Sequence, residues 1–354
     1  MGEESEPAVY GPQAELAAEE QQLQHFRRLA ADDPGFEADL ADRLHDVGAH
    51  LQEAGREPEA LAATEEAIEI WRRLADDDPA AYEFGLAECL HSLAVYLKRV
   101  GRHREAVVAA EQSVQLCRRL AAADPADYEP ALAAALSNYS MSLGEVRRSL
   151  DALSLEQEAV QIRRRLAAAD PAAYESDLAR SLHSLAQRLV PMRTKRWQAM
   201  TAIEEASEIY WRLAASNPGV YEPEFANCLQ TYGAILADGR LYGSALAPIE
   251  QAVEIWRRLA AAEPAAHEPG LALALHTLGR LLSHKRRRPE ALTAIEQAIE
   301  LYRRHGPALP GLAPKLRSAQ QIQANLLDKL GRKQEARNLR RRLKAEPGDP
   351  GSGH

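Results

Sequence analysis

The stretch WRRLADDDPAAYE, residues 71–83, returns with few changes at regular distances along the chain. Close copies begin at residues 117, 163, 210 and 256, a shortened copy begins at 26, and a worn copy begins at 302. Each copy, which we term a joint sequence, carries a proline, and these are Pro34, Pro79, Pro125, Pro171, Pro218, Pro264 and Pro310. The prolines are 45, 46, 46, 47, 46 and 46 residues apart. A fixed period of this length predicts a solenoid, in which one small unit of secondary structure is stacked many times.

The segment between two joint sequences begins with the apolar periodicity of a helix. Leu86, Leu90 and Leu93 recur at spacings of four and three, which places them on one helix face. Asp78 before Pro79 has the pattern of an N-cap followed by a proline in the first helical turn. The same pattern recurs at Asp33, Asp124, Asp170 and Asn217.

A break and a second helix follow. Gly101 suits the left-handed residue that ends many helices. Ala106, Ala110 and Val114 then resume the helical spacing, which continues to the next joint sequence. Each unit is therefore predicted to be a helical hairpin with helices of about 18 residues. The joint sequence ends one second helix and caps the next first helix, and its aromatic residues are expected to pack between hairpins.

The composition supports an all-α chain. Only 5% of the 354 residues are aromatic, and the helix-favouring residues Ala, Leu, Glu and Arg are abundant. No apolar run approaches the ~20 residues that cross a bilayer, and the first residues, MGEESEPAVYGPQ, lack the apolar region of a secretory signal. Cys89, Cys117 and Cys228 show no metal-ligand spacing and fit buried thiols in a reducing compartment. We therefore expect cytoplasmic localisation, no membrane partner, and no metal or other cofactor.

Two segments carry a resemblance to a known family. LHSLAVYLKRVGRHREAVVAAEQSV, residues 90–114, and LHTLGRLLSHKRRRPEALTAIEQAIELY, residues 275–302, resemble the tetratricopeptide repeat in the order of their Leu, Gly/Ala and Ala positions. The resemblance implies a right-handed α-solenoid of about seven hairpins plus an N-terminal capping helix. The units are about twelve residues longer than the usual repeat. In this they are similar to extended repeats of high-GC bacteria, which are often fused to effector domains.

The period also predicts the domain organisation. We expect a disordered N-terminus over 1–11, a single solenoid over 12–345 and a disordered tail over 346–354. The solenoid is predicted to contain an orphan helix at 12–31 and repeats at about 35–78, 79–124, 125–170, 171–217, 218–263, 264–309 and 310–345.

The resemblance implies that a partner binds a concave surface lined by the first helices. The positions three residues before the small Gly/Ala position hold a polar row: His45, His91, Ser137, His183, Gln230 and His276. Lys98, Arg99 and Arg280 are further inward positions. Some family members clamp a partner's terminal carboxylate with Lys and Asn here, and Lys98 with Arg99 is the nearest basic pair. The alternative is that the polar row bonds from repeat to repeat and contacts no ligand.

Two hairpin turns are unusually basic. RLVPMRTKRWQAM, residues 188–200, contains Arg193, Lys195 and Arg196, and SHKRRRPEA, residues 283–291, contains Lys285, Arg286, Arg287 and Arg288. Both turns follow a first helix, so they are predicted to share one edge of the solenoid. An anionic partner would suit this basic edge, and the alternative is a solvated turn.

Charge is distributed unevenly. Residues 1–150 contain 14 Lys+Arg and 29 Asp+Glu, a net charge of −15, whereas residues 151–354 contain 29 and 23, a net charge of +6. Such polarity can orient a charged partner, or it is drift among solvated faces. The overall charge of −9 does not favour nucleic acid as the partner.

The sequence contains no catalytic signature. It has no GxxxxGK[ST] phosphate loop, no GxSxG elbow and no HExxH pair. We therefore expect a protein that is not an enzyme, and that acts as a scaffold or adaptor binding a protein or peptide partner. The alternative is a regulatory sensor that binds a small peptide or ligand and controls an effector protein. Self-association through the terminal repeats remains open.

Overall fold

The computed structural model describes residues 12–306 and 309–345, so the predicted disordered ends lie outside the described residues. The described part contains fifteen α-helices and three short 3₁₀ turns, with no strand. None of these helices is long and apolar enough to span a bilayer. The chain divides into two compact units, residues 1–174 (unit 1) and 175–354 (unit 2), with the boundary inside the eighth helix.

Unit 1 is a stack of antiparallel helical hairpins preceded by one helix. Its helices are α1 Pro12–Asp32, α2 Glu37–Glu53, α3 Glu57–Asp77, α4 Pro79–Arg99, α5 His103–Ala123, α6 Pro125–Glu145 and α7 Ser149–Ala169. Each helix packs on the next, and first helices also contact one another, as α2 with α4 and α4 with α6. The predicted orphan helix is α1, which buries Leu16 and Leu23 in the common core.

Unit 2 repeats this plan. Its helices are most of α8 Pro171–Leu189, then α9 Arg196–Ser216, α10 Pro218–Asp238, α11 Tyr242–Ala262, α12 Pro264–His284, α13 Arg288–His305, α14 Ala313–Lys329 and α15 Lys333–Ala345. Neighbouring helices pack from α9 to α15, with further contacts of α10 with α12 and of α12 with α14. The predicted all-α fold of stacked helical hairpins is confirmed. That residues 12–345 form a single array stays a prediction.

The predicted N-caps are present in most joint sequences. The side chain of Asp78 accepts a hydrogen bond from the Ala81 N–H at 3.2 Å, and equivalent bonds are accepted by the side chains of Asp33, Asp124 and Asp170. These bonds satisfy backbone donors that an isolated helix end leaves free. Asn217 is different, because it occupies the N-cap position but its side chain makes no capping hydrogen bond.

The hairpin turns place one residue in the left-handed region. Gly101 has φ +78°, as predicted, and Gly55 and Gly331 adopt the same conformation. In three other turns the residue is an arginine instead, with φ of 61–62°: Arg147, Arg240 and Arg286. A side chain costs about 1–2 kcal/mol in this conformation, so these turns carry strain that a glycine would remove.

Aromatic residues of the joint sequences pack between hairpins, as predicted. Trp71, Tyr210, Trp256 and Tyr302 are buried. The Trp71 indole lies directly on Gly85 of the next helix, where an added Cβ would be 2.7 Å from Trp71 Cε2. At the two tryptophan joints, Trp71 with Gly85 and Trp256 with Gly270, a large ring thus lies against a residue without a side chain.

Ion pairs connect successive joints on the surface. The second arginine of a joint sequence contacts the glutamate that ends the preceding one, in the pairs Arg73–Glu37, Arg119–Glu83, Arg165–Glu129, Arg212–Glu175, Arg258–Glu222 and Arg304–Glu268. Their N–O distances are 2.5–2.9 Å, but every arginine side chain is more than half exposed. Each pair therefore adds at most about 1 kcal/mol.

Candidate functional site

A cavity of about 200 Å³ opens between the first helices of unit 1. It is lined by His45 of α2, by Glu88, His91 and Ser92 of α4, by Ser113 and Cys117 of α5, and by four alanines, Ala87, Ala131, Ala134 and Ala135. Ala134 stands 46 residues after Glu88, which itself stands 46 residues after Asp42. The third repeat thus has a methyl group where the first two have a carboxylate, and this substitution leaves the space open.

Two predicted site residues, His45 and His91, face this cavity together. His45 Nε2 lies 2.9 Å from Ser92 Oγ, a hydrogen bond between successive first helices. Burial, with the positive charges of Lys98 and Arg163 nearby, lowers the pKa of His91 to about 4. His91 is therefore neutral at pH 7 and offers the cavity a hydrogen-bonding imidazole without charge.

Two exposed carboxylates, Glu88 in the cavity lining and Asp42 one repeat earlier, have raised pKa values. The pKa of Glu88 is raised chiefly by partial loss of solvation, His45 opposes this, and the Asp42 carboxylate adds a smaller upward effect. The pKa of Asp42 is also raised, by burial and by the neighbouring Asp46. In the described part of the chain neither carboxylate has an ion-pair partner. A positive charge placed between them would relieve the repulsion and the loss of solvation.

A buried polar cluster adjoins the cavity and includes a third predicted residue, Lys98. Lys98 Nζ donates to Asn138 Oδ1 at 2.7 Å, and Asn138 Nδ2 donates to the His91 carbonyl oxygen at 3.0 Å. Asn138 is 1% exposed, so its amide is fixed from both sides. Lys98 is thereby positioned by the structure and projects from the first-helix face with its charge partly desolvated.

The cluster continues to a buried arginine that sequence reasoning missed. Arg163 Nη1 donates to Ser137 Oγ at 2.8 Å, and the Ser137 hydroxyl lies 3.4 Å from Glu156 Oε1. Arg163 and Glu156 are both buried. The signal was available, because Arg163 occupies the joint position that holds Trp71 and Cys117 in the preceding copies.

Arg99, the other half of the predicted basic pair, points elsewhere. The Arg99 guanidinium lies 3.9 Å from the Glu57 carboxylate. When the side-chain oxygen of Gln52 faces Arg99, the guanidinium also donates a hydrogen bond to that oxygen at 2.8 Å. More than half of the Arg99 side chain is exposed. It therefore lies at the end of the first-helix face, bonded to the preceding repeat.

In unit 2 the polar row bonds from repeat to repeat. His183 Nε2 lies 2.8 Å from Thr231 Oγ1, and the ring of His276 lies between Tyr302 Oη at 3.3 Å and Ser318 Oγ at 3.5 Å. Burial lowers the pKa of each histidine to about 4, helped at His276 by the exposed Arg280. Each of these neutral histidines thus bonds to the following first helix. This is the repeat-to-repeat bonding that was the alternative to ligand contact for the polar row.

Gln230 breaks this pattern. It occupies the histidine position of its repeat and is 8% exposed. Within residues 12–306 and 309–345, both its amide oxygen and its amide nitrogen lack a hydrogen-bond partner. Thr277, its counterpart in the next first helix, bonds its own backbone at Leu273 O instead. Gln230 therefore buries an amide group whose hydrogen bonds the described residues do not satisfy.

Some of the basic residues in the two hairpin turns of unit 2 are already bonded within the protein. Arg196 pairs with Asp238 at 2.9 Å, Arg287 pairs with Glu290, and Arg288 donates to the Lys329 carbonyl at 3.2 Å. Arg196 and Arg288 thus connect adjacent hairpins, whereas the Arg287–Glu290 pair lies within one turn. The remaining predicted members make no ion pair in the part of the chain that the structure describes, and they are Arg193, Lys195, Lys285 and Arg286.

No group of three or more His, Cys, Asp or Glu side chains among the described residues could hold a metal ion. Cys117 lines the unit 1 cavity, but burial raises the pKa of its thiol to about 11. The thiol therefore stays protonated and is a poor nucleophile at pH 7. The cavity lining thus combines the neutral imidazole of His91, the His45 ring, hydroxyl groups and the Glu88 carboxylate with an alanine floor.

A family model described as tetratricopeptide repeat matches residues 86–127 and 271–305. These segments lie on the hairpins α4–α5 and α12–α13. A comparison with curated proteins finds no significant match.

Solved structures share the fold at low sequence identity. BtubC (BKLC) from P. vanneervenii is 18% identical over 71% of this chain and 92% of its own, with a TM-score of 0.57. The apo form of the quorum sensor NprR from B. thuringiensis is 14% identical over 93% of this chain and 82% of its own, with a TM-score of 0.61. A signal transduction ATPase (STAND) protein with a tetratricopeptide repeat sensor, PH0952 from Pyrococcus horikoshii, is 12% identical, with a TM-score of 0.63; the alignment covers 96% of this chain and 47% of that one. Two segments of the chain thus match the tetratricopeptide repeat model, and the fold is shared with solved structures of tetratricopeptide repeat proteins.

Proposed function

We propose that this protein is a non-catalytic scaffold that binds a peptide or a protein segment on its first-helix face, with the unit 1 cavity as the anchoring site. The observation that carries the proposal is the cavity itself, which exists because Ala134 replaces the carboxylates found at Asp42 and Glu88. Binding sites are typically concave, with a few polar groups fixed by the surrounding structure. The bonds of His45 to Ser92 and of Lys98 to Asn138 supply that fixation.

The electrostatics of the cavity favour a ligand with a positively charged group. Glu88 and Asp42 are exposed carboxylates with raised pKa values and no ion-pair partner among the described residues, so a cation near them gains a favourable charge interaction. The alanine floor has room for a short aliphatic chain. A peptide amino-terminus or a lysine side chain has both properties. Lys98, held by Asn138, is suited to an acidic group further along the same peptide.

The test uses a probe that carries no assumption about the natural partner. A phage library of random 12-residue peptides is selected on the full-length chain, and enriched peptides are titrated by calorimetry. We expect enriched sequences to carry a lysine or a required free amino-terminus. Ala134→Leu fills the cavity, and Asp42→Asn with Glu88→Gln removes the charge, so each should weaken binding about tenfold or more.

Glu208→Gln is the matched control, because Glu208 is an exposed carboxylate on the second helix α9. It should leave the affinity within about twofold of the wild type. Circular dichroism confirms that all variants stay helical. Peptides that bind Ala134→Leu as tightly as the wild-type chain would show that the cavity is not the anchoring site.

The second candidate function is that of a regulatory sensor that responds to a small peptide. It is favoured by the similarity in fold to a quorum sensor and to a protein with a tetratricopeptide repeat sensor. A sensor changes shape when its ligand binds, whereas a static scaffold does not. Small-angle scattering with and without the selected peptide separates them. A ligand-dependent fall in the radius of gyration supports the sensor, and an unchanged value supports the scaffold.

A further inference from the structure

The first arginine of each joint sequence has a recurrent partner. It donates a hydrogen bond to the second helix of the next hairpin, 39 or 40 residues later, in four joints: Arg27 to Glu66, Arg72 to Gln112, Arg118 to Glu158 and Arg257 to Gln297. The distances from the guanidinium nitrogen to the side-chain oxygen in these four bonds are 2.6–3.3 Å. At these four joints the second-helix face therefore receives a guanidinium from the preceding joint.

One joint lacks its arginine. In the copy YWRLAASNPGVYE, residues 210–222, the first arginine is replaced by Trp211, whose side chain is 62% exposed. The acceptor position is still occupied, because Gln251 stands 40 residues later on α11. Across residues 12–306 and 309–345, Gln251 makes no side-chain hydrogen bond and Glu254, one turn further on, makes no ion pair.

These groups line one surface groove of about 340 Å³ in unit 2. Trp211 forms one wall, Gln251 and Glu254 form the opposite wall, and the apolar lining is Ala214, Ala215, Phe225 and Ile255. The remaining charges in the groove, Arg258 and Glu222, neutralise each other in an ion pair at 2.5 Å. The groove therefore keeps one uncompensated carboxylate, that of Glu254, facing an exposed indole.

We propose that this groove binds an arginine side chain presented by a partner protein. This choice of ligand follows from the other repeats, because at four other joints an arginine of the chain itself bonds to the residue equivalent to Gln251. A guanidinium is planar, stacks on an indole, and donates in a fork to carboxylate and amide oxygens. Trp211 provides the stacking surface, while Gln251 Oε1 and Glu254 provide the acceptors. The aliphatic part of the arginine covers Ala214 and Ala215.

Arginine fits the groove better than lysine. A lysine ammonium is a compact, strongly hydrated charge, whereas a guanidinium is weakly hydrated and bonds to two acceptors at once while it stacks. The groove lies on the second helices of unit 2 and shares no residue with the unit 1 cavity. The inference is therefore independent of the proposed function, and either one can fail while the other stands.

The test is a titration of the full-length chain with the tripeptide acetyl-Gly-Arg-Gly-amide, followed by NMR. The observed signals are the indole N–H of Trp211 and the side-chain amide of Gln251. Acetyl-Gly-citrulline-Gly-amide is the matched probe, since citrulline keeps the shape and loses the charge. Both signals should shift and saturate with the arginine peptide, and the citrulline peptide should bind at least tenfold more weakly. The exposed Trp197 is the internal reference and should not saturate.

Two variants complete the test. Trp211→Arg restores the joint found elsewhere in the chain, so it should remain folded and abolish the saturable shift of Gln251. Glu254→Gln should weaken the arginine peptide at least threefold and reduce its dependence on salt. Equal binding of the two peptides, equal shifts at Trp197 and Trp211, or an unchanged Gln251 titration in Trp211→Arg each overturns the proposal.

Discussion

At the Trp71 joint, we predict that Gly85→Ala destabilises the protein when residue 71 is tryptophan and stabilises it when residue 71 is cysteine. Gly85 lies in the interior of α4, and a Cβ added there would meet Trp71 Cε2 at 2.7 Å and Cζ2 at 2.9 Å. The next joint holds Cys117 where Trp71 stands, and it holds Ala131 where Gly85 stands. The natural chain thus contains both solutions, a large ring with glycine and a small side chain with alanine.

The magnitudes follow from two opposing effects. Alanine is favoured over glycine in a helix interior by about 1 kcal/mol, but overpacking costs about 1–3 kcal/mol. Gly85→Ala should therefore destabilise the wild-type joint by about 1 kcal/mol. Trp71→Cys leaves a cavity and should cost about 3 kcal/mol. In that background the clash is gone, so Gly85→Ala should stabilise by about 1 kcal/mol, which is a coupling of about 2 kcal/mol.

Hydrogen exchange of the α4 amides measures this cycle locally, since stacked repeats open in small units. Trp256 and Gly270 form the same pairing in unit 2, where an added Cβ would lie 2.9 Å from the indole. Gly270→Ala with and without Trp256→Cys is therefore the internal repeat of the experiment. An effect of Gly85→Ala that is equal in both backgrounds, within about 0.5 kcal/mol, refutes the packing argument.

Three further predictions concern turns, ion pairs and pH. Arg240→Gly should stabilise unit 2 by about 0.5–1 kcal/mol in urea unfolding, because it relieves a side chain at φ +61°; a loss of stability contradicts this. Glu83→Gln should cost only about 0.5 kcal/mol, and 1 M salt should remove the difference, because Arg119 is largely exposed. His183 and His276 have pKa values lowered to about 4 from the ordinary 6.5, so they stabilise the fold fully above pH 6.5 and lose this contribution as the pH falls to 4. Urea unfolding between pH 7 and 4 should show a loss of about 1–2 kcal/mol for each histidine, which His183→Gln reduces.

Much of the fold was predictable because its causes are local and repeated. A proline after a capping aspartate starts each first helix, as at Asp78, and a residue suited to φ above zero ends it, as at Gly101. These signals need no knowledge of distant residues. The ion pair of Arg119 with Glu83 is not local, yet its spacing of 36 residues recurs so regularly that the period itself encodes it. That pairing could have been predicted from the sequence and was not.

The candidate site was less predictable because it depends on which partner a side chain finds. His183 and His276 belong to the predicted polar row, but their neighbours in the next repeat turn them into structural bridges. Gln230 has the same register and finds no such neighbour in the described residues. Sequence periodicity gives the register of a side chain. Periodicity does not give the side-chain conformation of Thr277. That conformation directs the Thr277 hydroxyl to the Leu273 carbonyl oxygen and leaves Gln230 without this hydrogen-bond partner.

Departures from the repeat, rather than the repeat itself, underlie both sites proposed for this protein. A residue present in every copy, such as the second arginine of the joint, is explained by an ion pair that six of the seven copies make in the described residues. A residue that differs in one copy has no such explanation, and its surroundings show what the exchange leaves behind. Ala134 lines a cavity that also contains the Glu88 carboxylate, and Trp211 leaves Gln251 without the arginine that other copies supply. In both places the other copies define the missing group, so the repeated architecture supplies the chemical hypothesis that each experiment tests.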